Sequence, residues 1–364
     1  MRHRSVQMSS LSRRVLAAAA AVLLSLCGGC AAAGQPSPAA LSVLASPAAR
    51  ACGGAASVGY RVVQFAPGRK AVVWYPSTAS AASFAYSVKQ SSSVALDGAP
   101  AGCGRMPLIL FSHGWKGCAI QSIFITEQLA RYGFIVAAPD HLDAACDQQG
   151  RAPMQSTRPT PPFFHPEQWT DDSYGDRHED MVALLDHLLH SPEFGPRIDA
   201  QRIGLIGHSL GGYTVLGMAG GWKSWYEPRV RAVLALSPYA DPYLAKGALA
   251  RLHVPVMYQG AQYDMFMTAA ISKPNGFYDQ TAPPKYYVQL NGGTHFAWTN
   301  FLCGNGRSVT QCVQQDPSAA VIDAYALAFF QKYLQGISSP LLQAPATGVA
   351  EYRHQDASAV LPPK

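Results

Sequence analysis

The 364-residue chain is poor in charge. Only 14% of its residues are Asp, Glu, Lys or Arg. Much of its formal balance of +6 comes from Arg2, Arg4, Arg13 and Arg14; without them 24 basic residues face 22 acidic ones, a balance of +2. That gives no electrostatic footprint for nucleic acid. A long apolar run is also missing: Val15–Leu26, apolar except for Ser25, is too short to cross a hydrocarbon core ~30 Å thick as a helix. Beyond Cys30 there is no Cys-x-x-Cys, and His-Glu-x-x-His occurs nowhere, so the usual zinc spacings are lacking. Despite 32 Gly and 27 Pro, no collagen-like period or internal repeat is present, which excludes fibrous and solenoid architectures. What the chain does have is 48% apolar residues, enough to bury the core of one large α/β domain or two small ones.

Four arginines and no acid up to Arg14, followed by the apolar stretch, read as the n- and h-regions of an export signal over residues 1–29. Leu26-Cys27-Gly28-Gly29-Cys30 resembles a bacterial lipobox, in which Cys30 would become a lipidated N-terminus; Cys27 stands where that pattern usually has Leu. Cleavage after Ala31-Ala32-Ala33, with free release, is the alternative, and Ser12-Arg13-Arg14-Val15-Leu16 faintly resembles a twin-arginine signal. The protein is therefore expected outside the cytoplasm, as a cell-envelope lipoprotein or in a periplasmic or secreted form, and as a monomer. Removal of the leader and lipidation of Cys30 leave Cys52, Cys103, Cys118, Cys146, Cys303 and Cys312, an even count that predicts disulfides in an exported chain. Cys303 and Cys312, close together in a Gly-, Asn- and Ser-rich loop, are the first pair expected. Cys118 with Cys146 and Cys52 with Cys103 are further candidates.

Residues 30–58, rich in Ala, Ser and Pro, read as a flexible tether. Strand-like and helix-like segments then alternate over 59–335. Tyr60–Phe65 and Ala71–Tyr75 read as a hairpin. Pro107–Ser112, Phe134–Ala138, Arg202–Gly207, Arg231–Leu236, Val254–Gly260 and Tyr286–Leu290 read as strands, and Ser122–Tyr132, Asp176–His190, Leu210–Ala219 and Pro317–Leu334 as helices. This rhythm predicts a mostly parallel central sheet with helices on both faces. The Pro- and aromatic-rich segment 147–172 is expected to be a lid-like insertion, and 336–364 a mobile tail.

The sharpest signal is Gly207-His208-Ser209-Leu210-Gly211 between a predicted strand and a predicted helix. A tight turn there lifts the Ser209 hydroxyl above the sheet, and only glycine fits beside it. A serine nucleophile needs a base, and the base needs a group to orient it. In this setting the order along the chain is Ser, then Asp or Glu, then His. His295, in Asn291-Gly292-Gly293-Thr294-His295-Phe296 after the last of these strands, is the expected base. Asp264, after Val254–Gly260, is the expected acid, with Asp241 its rival. Two N–H groups must hold the oxyanion: Leu210, directly after the nucleophile, and Trp115, in Ser112-His113-Gly114-Trp115-Lys116-Gly117.

Phe111-Ser112-His113-Gly114, Val136-Ala137-Ala138-Pro139-Asp140-His141, Gly207-His208-Ser209-Leu210-Gly211-Gly212-Tyr213, Gly293-Thr294-His295-Phe296 and Val73-Trp74-Tyr75-Pro76 together resemble the α/β-hydrolase superfamily. Within it the nearest branch is that of dienelactone-hydrolase-like and platelet-activating-factor-acetylhydrolase-like proteins, with cutinase-like features. The resemblance implies an α/β-hydrolase fold and a serine carboxylic ester hydrolase working through an acyl-enzyme, with no metal or cofactor. Its partner would be a small-molecule or lipid-like ester, while the lipobox-like segment allows membrane anchoring through a lipidated Cys30. Ser209 stands where true dienelactone hydrolases carry cysteine. In acetylhydrolases of the platelet-activating-factor type the acid follows the preceding strand, which keeps Asp241 in play. Leu210 replaces the Met usual in cutinases, and the 147–172 insertion argues against an open polymer-binding cleft. An acyltransferase with the same triad, a polyester or cutin hydrolase, and a non-catalytic envelope binding protein remain as alternatives.

Overall fold

The computed structural model describes residues 57–87, 90–102, 104–145, 155–304 and 307–357. The leader, the tether as far as residue 56, and Cys30, Cys52, Cys103 and Cys146 lie outside the described residues. The chain opens with the antiparallel pair β1 (Ser57–Ala66) and β2 (Arg69–Ser77), so Ser57 and Val58 belong to a strand rather than to the tether. A second hairpin follows, β3 (Ala82–Ser87) and β4 (Gln90–Leu96). Then come β5 (Met106–Ser112), α1 (Ile123–Arg131), β6 (Ile135–Pro139), α2 (Gly175–His190), β7 (Ile198–His208) and α3 (Leu210–Leu216). The second half contributes β8 (Val230–Leu236), α4 (Asp241–Ala245), β9 (Val256–Ala261), α5 (Met265–Ser272), α6 (Phe277–Gln280) and β10 (Lys285–Leu290). It ends with α7 (Val309–Gln315), α8 (Pro317–Phe330) and β11 (Val349–Gln355). Across the sheet the order is β11-β10-β9-β8-β7-β5-β6-β2-β1-β4-β3, parallel from β6 through to β10.

Side chains that alternate along a strand point to opposite faces, and they divide the interior into two cores. Leu108, Leu110, Ile135, Ala137, Ile203 and Leu205 pack on one side, where α2 adds Met181, Leu184, Leu185 and Leu188. Ile109, Phe111, Val136, Ala138 and Ile206 pack on the other, beneath Ile125 and Leu129 of α1 and Val321, Ile322 and Tyr325 of α8. The central strands are buried on both faces, which is why they read as continuous apolar runs. This is an α/β-hydrolase fold: a mostly parallel sheet covered by helices on both sides, with the loops at the strands' C-terminal ends left free to carry chemistry.

Two expectations need correction, and one element was unforeseen. The C-terminal segment 336–364 is not a tail throughout. Val349–Gln355 pairs antiparallel with β10, from Lys285↔Gln355 to Leu290↔Val349, and closes that edge of the sheet. Ladder hydrogen bonds hold it, and these leave little trace in a half-exposed sequence. The hairpin β3–β4 was also unforeseen, because Ser91-Ser92-Ser93 has little strand propensity. Residues 155–172, the described part of the segment expected as a lid, are fastened down rather than loose. Trp169 is fully buried, with its Nε1 donating to the Pro162 carbonyl at 3.1 Å. Phe163 lies against Trp115, Trp169, Tyr174 and Tyr239, and Tyr239 Oη donates to the Phe163 carbonyl at 2.6 Å. Aromatic burial of this kind contributes about 3–5 kcal/mol at a site such as Trp169.

Removing 349–364 bares the hydrogen-bonding edge of β10. The truncated protein is expected to melt about 5 °C or more below the full chain and to associate through that edge; calorimetry and light scattering check both.

Candidate active site

The turn between β7 and α3 is set by backbone crowding. A Cβ on Gly207 would lie 2.1 Å from the Gly211 carbonyl oxygen, and one on Gly211 only 1.9 Å from the Ser112 carbonyl oxygen. Only glycine allows α3 to pass this close to β5. Ser209, between them, takes φ 54° and ψ −117°, a conformation that a side chain adopts only under constraint. The strain lifts its hydroxyl out of the sheet toward the loops that follow β9 and β10.

His295 arrives from the loop after β10. Its Nε2 is 2.9 Å from Ser209 Oγ, and its Nδ1 is 3.1 Å from Oδ2 of Asp264. Asp264 sits at the start of α5, 6% exposed. The structure thus brings Ser209, His295 and Asp264 together. Asp241 opens α4 instead, and among the described residues no hydrogen bond or ion pair joins it to His295. Sequence reasoning passed over Ser237, the residue after β8, whose φ of 42° turns it under the histidine. Its hydroxyl donates to Asp264 Oδ2 and lies 3.0 Å from His295 Nδ1, so the carboxylate is itself held. Only its place at the end of a parallel strand could have marked it.

His208 was also missed. It is buried, its Nε2–H donates to the His295 carbonyl at 2.9 Å, and its Nδ1 accepts from Gln121 Nε2 at 3.1 Å. Burial, with His295 adjacent, pulls its pKa down to about 3, so the ring stays neutral and clamps the loop that carries His295.

Leu210 begins α3, where a first-turn N–H has no intrahelical partner. In the loop after β5, the N–H groups of Gly114, Lys116 and Gly117 donate to Gln121 Oε1, Asp143 Oδ2 and the Gly114 carbonyl. The Trp115 N–H has no acceptor among the described residues. Trp115, Ser209, His295, Phe296 and Phe301 line a cleft of about 630 Å³. Trp115, Phe296 and Phe301 are 51%, 54% and 77% exposed and form an apolar rim. The far wall is built where Gln90 of β4 donates to the carbonyls of Asn300 and Gly304, next to the disulfide Cys303–Cys312. Cys118 is also disulfide-bonded, to a cysteine outside the described residues. An activatable hydroxyl, an oriented imidazole and free N–H groups at an apolar cleft are the parts that acyl transfer requires.

Two family models match parts of the chain: one described as PET hydrolase-like, over residues 169–311, and one for platelet-activating factor acetylhydrolase, isoform II, over 75–155. Among curated proteins the chain is similar to a cutinase of Thermobifida alba, 29% identical over 52% of each chain. It is also similar to the platelet-activating factor acetylhydrolase of Cavia porcellus, 25% identical over 63% of this chain and 58% of that one. The chain spans about half the length of the curated relatives it matches. A solved ferulic acid esterase from Streptomyces cinnamoneus superposes with a TM-score of 0.58 and 22% identity, over 83% of this chain and 97% of that one; that likeness concerns the fold.

The depressed pKa predicts that His208 remains neutral, with its proton on Nε2, from pH 8 down to about pH 4. Nitrogen-15 NMR of the imidazoles checks this; a His208 titrating near the ordinary value of about 6.5 would contradict it.

Proposed function

We propose that this α/β-hydrolase, of the kind related to platelet-activating-factor acetylhydrolases and cutinases, is an exported serine carboxylic ester hydrolase. One observation carries the proposal: Ser209 Oγ, His295 and Asp264 in hydrogen-bonding line, at 2.9 and 3.1 Å, on the wall of an apolar cleft. Ser209 attacks the ester carbonyl as His295 Nε2 takes its proton. Asp264 keeps the second imidazole proton on Nδ1 and stabilises the imidazolium. The N–H groups of Trp115 and Leu210 receive the oxyanion. The imidazolium then protonates the leaving alcohol, and a water that gives its proton to His295 releases the acid and restores Ser209.

Ser209→Ala is expected to lower p-nitrophenyl butyrate turnover by at least about 10⁴-fold with an unchanged circular dichroism spectrum. Wild-type turnover in that variant would end the proposal. Asp264→Asn should cost about 10³–10⁴-fold, and Asp241→Asn less than about tenfold.

The exposed rim of Trp115, Phe296 and Phe301 and the match to a PET hydrolase-like model favour a second reading, in which the ester belongs to a polyester. Acyl esters of increasing length assayed beside a polyester film separate the two: release of soluble acid from the film supports the polymer, and activity confined to soluble esters rejects it. Anchoring through Cys30 is part of the proposal for location, and a Cys30→Ser chain is expected to leave the detergent phase in a Triton X-114 partition.

A further inference from the structure

Arg177 is a long charged side chain with no exposed surface, and the reaction just described does not use it. It stands in the first turn of α2, far from Ser209 in sequence, and its guanidinium spreads beneath the loop that follows β5. Nη1 donates to the His113 carbonyl at 2.7 Å and Nη2 to the Gly114 carbonyl at 3.1 Å. On its other side Nε and Nη2 grip Asp143 as a fork, at 3.1 and 2.8 Å, and this guanidinium holds the Asp143 carboxyl well below the usual carboxylate range despite its burial. Taking an arginine out of water is costly unless every donor finds a partner, and here the donors are spent on two consecutive backbone carbonyls.

The Gly114 carbonyl receives two more donors. Gly117 N–H reaches it at 2.9 Å, and His113 Nδ1 at 2.7 Å. The His113 tautomer is fixed because its Nε2 accepts the His141 N–H at 3.1 Å, which leaves the proton on Nδ1. A carbonyl oxygen has two lone pairs; with three donors converging on it, the plane of the Gly114–Trp115 peptide cannot rotate. In a trans peptide the N–H points opposite to the C=O. The Trp115 N–H is therefore aimed away from the buried guanidinium, on the side where the loop meets the nucleophile: a Cβ on Gly114 would lie 3.4 Å from Ser209 Cβ.

We infer that Arg177 is a positioning residue for the oxyanion site: by holding the carbonyls of His113 and Gly114 it sets the direction of the Trp115 N–H that receives the developing negative charge. The inference rests on the ester-hydrolase reading of the same site. It also gives the 147–172 excursion a role, since Asp143 precedes that segment and Arg177 follows it, so their ion pair ties both of its ends to the oxyanion loop.

The test is Arg177→Lys in the full chain, with folding followed by circular dichroism. Lysine keeps the charge but cannot reach two carbonyls and a carboxylate with one planar fork. Arg177→Gln combined with Asp143→Asn leaves no unpaired charge in the interior and serves as the second variant. In both, kcat for p-nitrophenyl butyrate is expected to fall about 10²-fold, the scale of one lost oxyanion donor, with KM within about threefold of wild type. A trifluoromethyl ketone, whose adduct with Ser209 carries an oxyanion, should bind more weakly by the same factor as kcat falls. The corresponding alcohol, which mimics only the ground state, should bind as before. The low-pH limb of the rate profile should not move. A folded variant that keeps wild-type kcat and ketone affinity overturns the inference, as does one whose alcohol affinity falls together with its ketone affinity. The ester-hydrolase reading stands apart from either result, because Ser209→Ala decides it in the same assay.

Discussion

The close approach of α3 to the end of β5 is the constraint on which the rest is built. With so little room between Gly211 and the Ser112 carbonyl that an added Cβ would lie 1.9 Å from its oxygen, β7 must end abruptly, Ser209 must take a backbone conformation that costs about 1–3 kcal/mol, and the loop after β5 must run beside the new helix. Ser209 and the loop after β5 thus become neighbours through main-chain packing, before any side chain is chosen. The two buried cores, one on each face of the sheet, stabilise this strained crossing.

Around it lies a set of buried polar side chains that touch one another more than they touch the cleft. Gln121 accepts from the Gly114 N–H and donates to His208; His208 donates to the His295 carbonyl. The loop after β5 and the loop bearing His295 are therefore linked through two side chains, neither of them Ser209, His295 or Asp264. His113 and His141 are both kept neutral by burial, His113 with a pKa of about 3. Satisfied networks of this kind rigidify a site, and one missing partner would leave several groups stranded in a low-dielectric interior.

The parts of this architecture that could be read from the chain were those with a strong local pattern. Pro107–Phe111 and Ile203–Gly207 are apolar throughout because both of their faces are covered, and Asp176–His190 carries its apolar residues at helical spacing. Gly207-His208-Ser209-Leu210-Gly211 pointed to its own turn, since Gly207 is required by a contact only four residues away, with the Gly211 carbonyl, and the motif sits between a strand pattern and a helix pattern. Ser237, His208 and Arg177 could not be read in this way. Their partners lie 27, 87 and 63–64 residues distant, and nothing local distinguishes a serine at a strand end or an arginine near a helix start. The strand Val349–Gln355 was hidden for a related reason: an edge strand is defined by the partner it bonds, and its mostly half-buried residues, with only Ala350 and Gln355 exposed, carry no two-residue period.

That last strand bears on when the Ser209–His295 pair is assembled. β10 leads directly into the loop that carries His295. It is flanked on one side by β9 and on the other only by β11, and the Asn291 N–H, one residue beyond β10, is held by the Gly348 carbonyl at 2.9 Å. A chain synthesised N-terminus first presents Ser209 long before the segment that buttresses the His295 loop. On the proposed reading, the hydroxyl has no settled imidazole beside it until residues 349–355 have paired with β10, and a precursor held at that stage is an idle one.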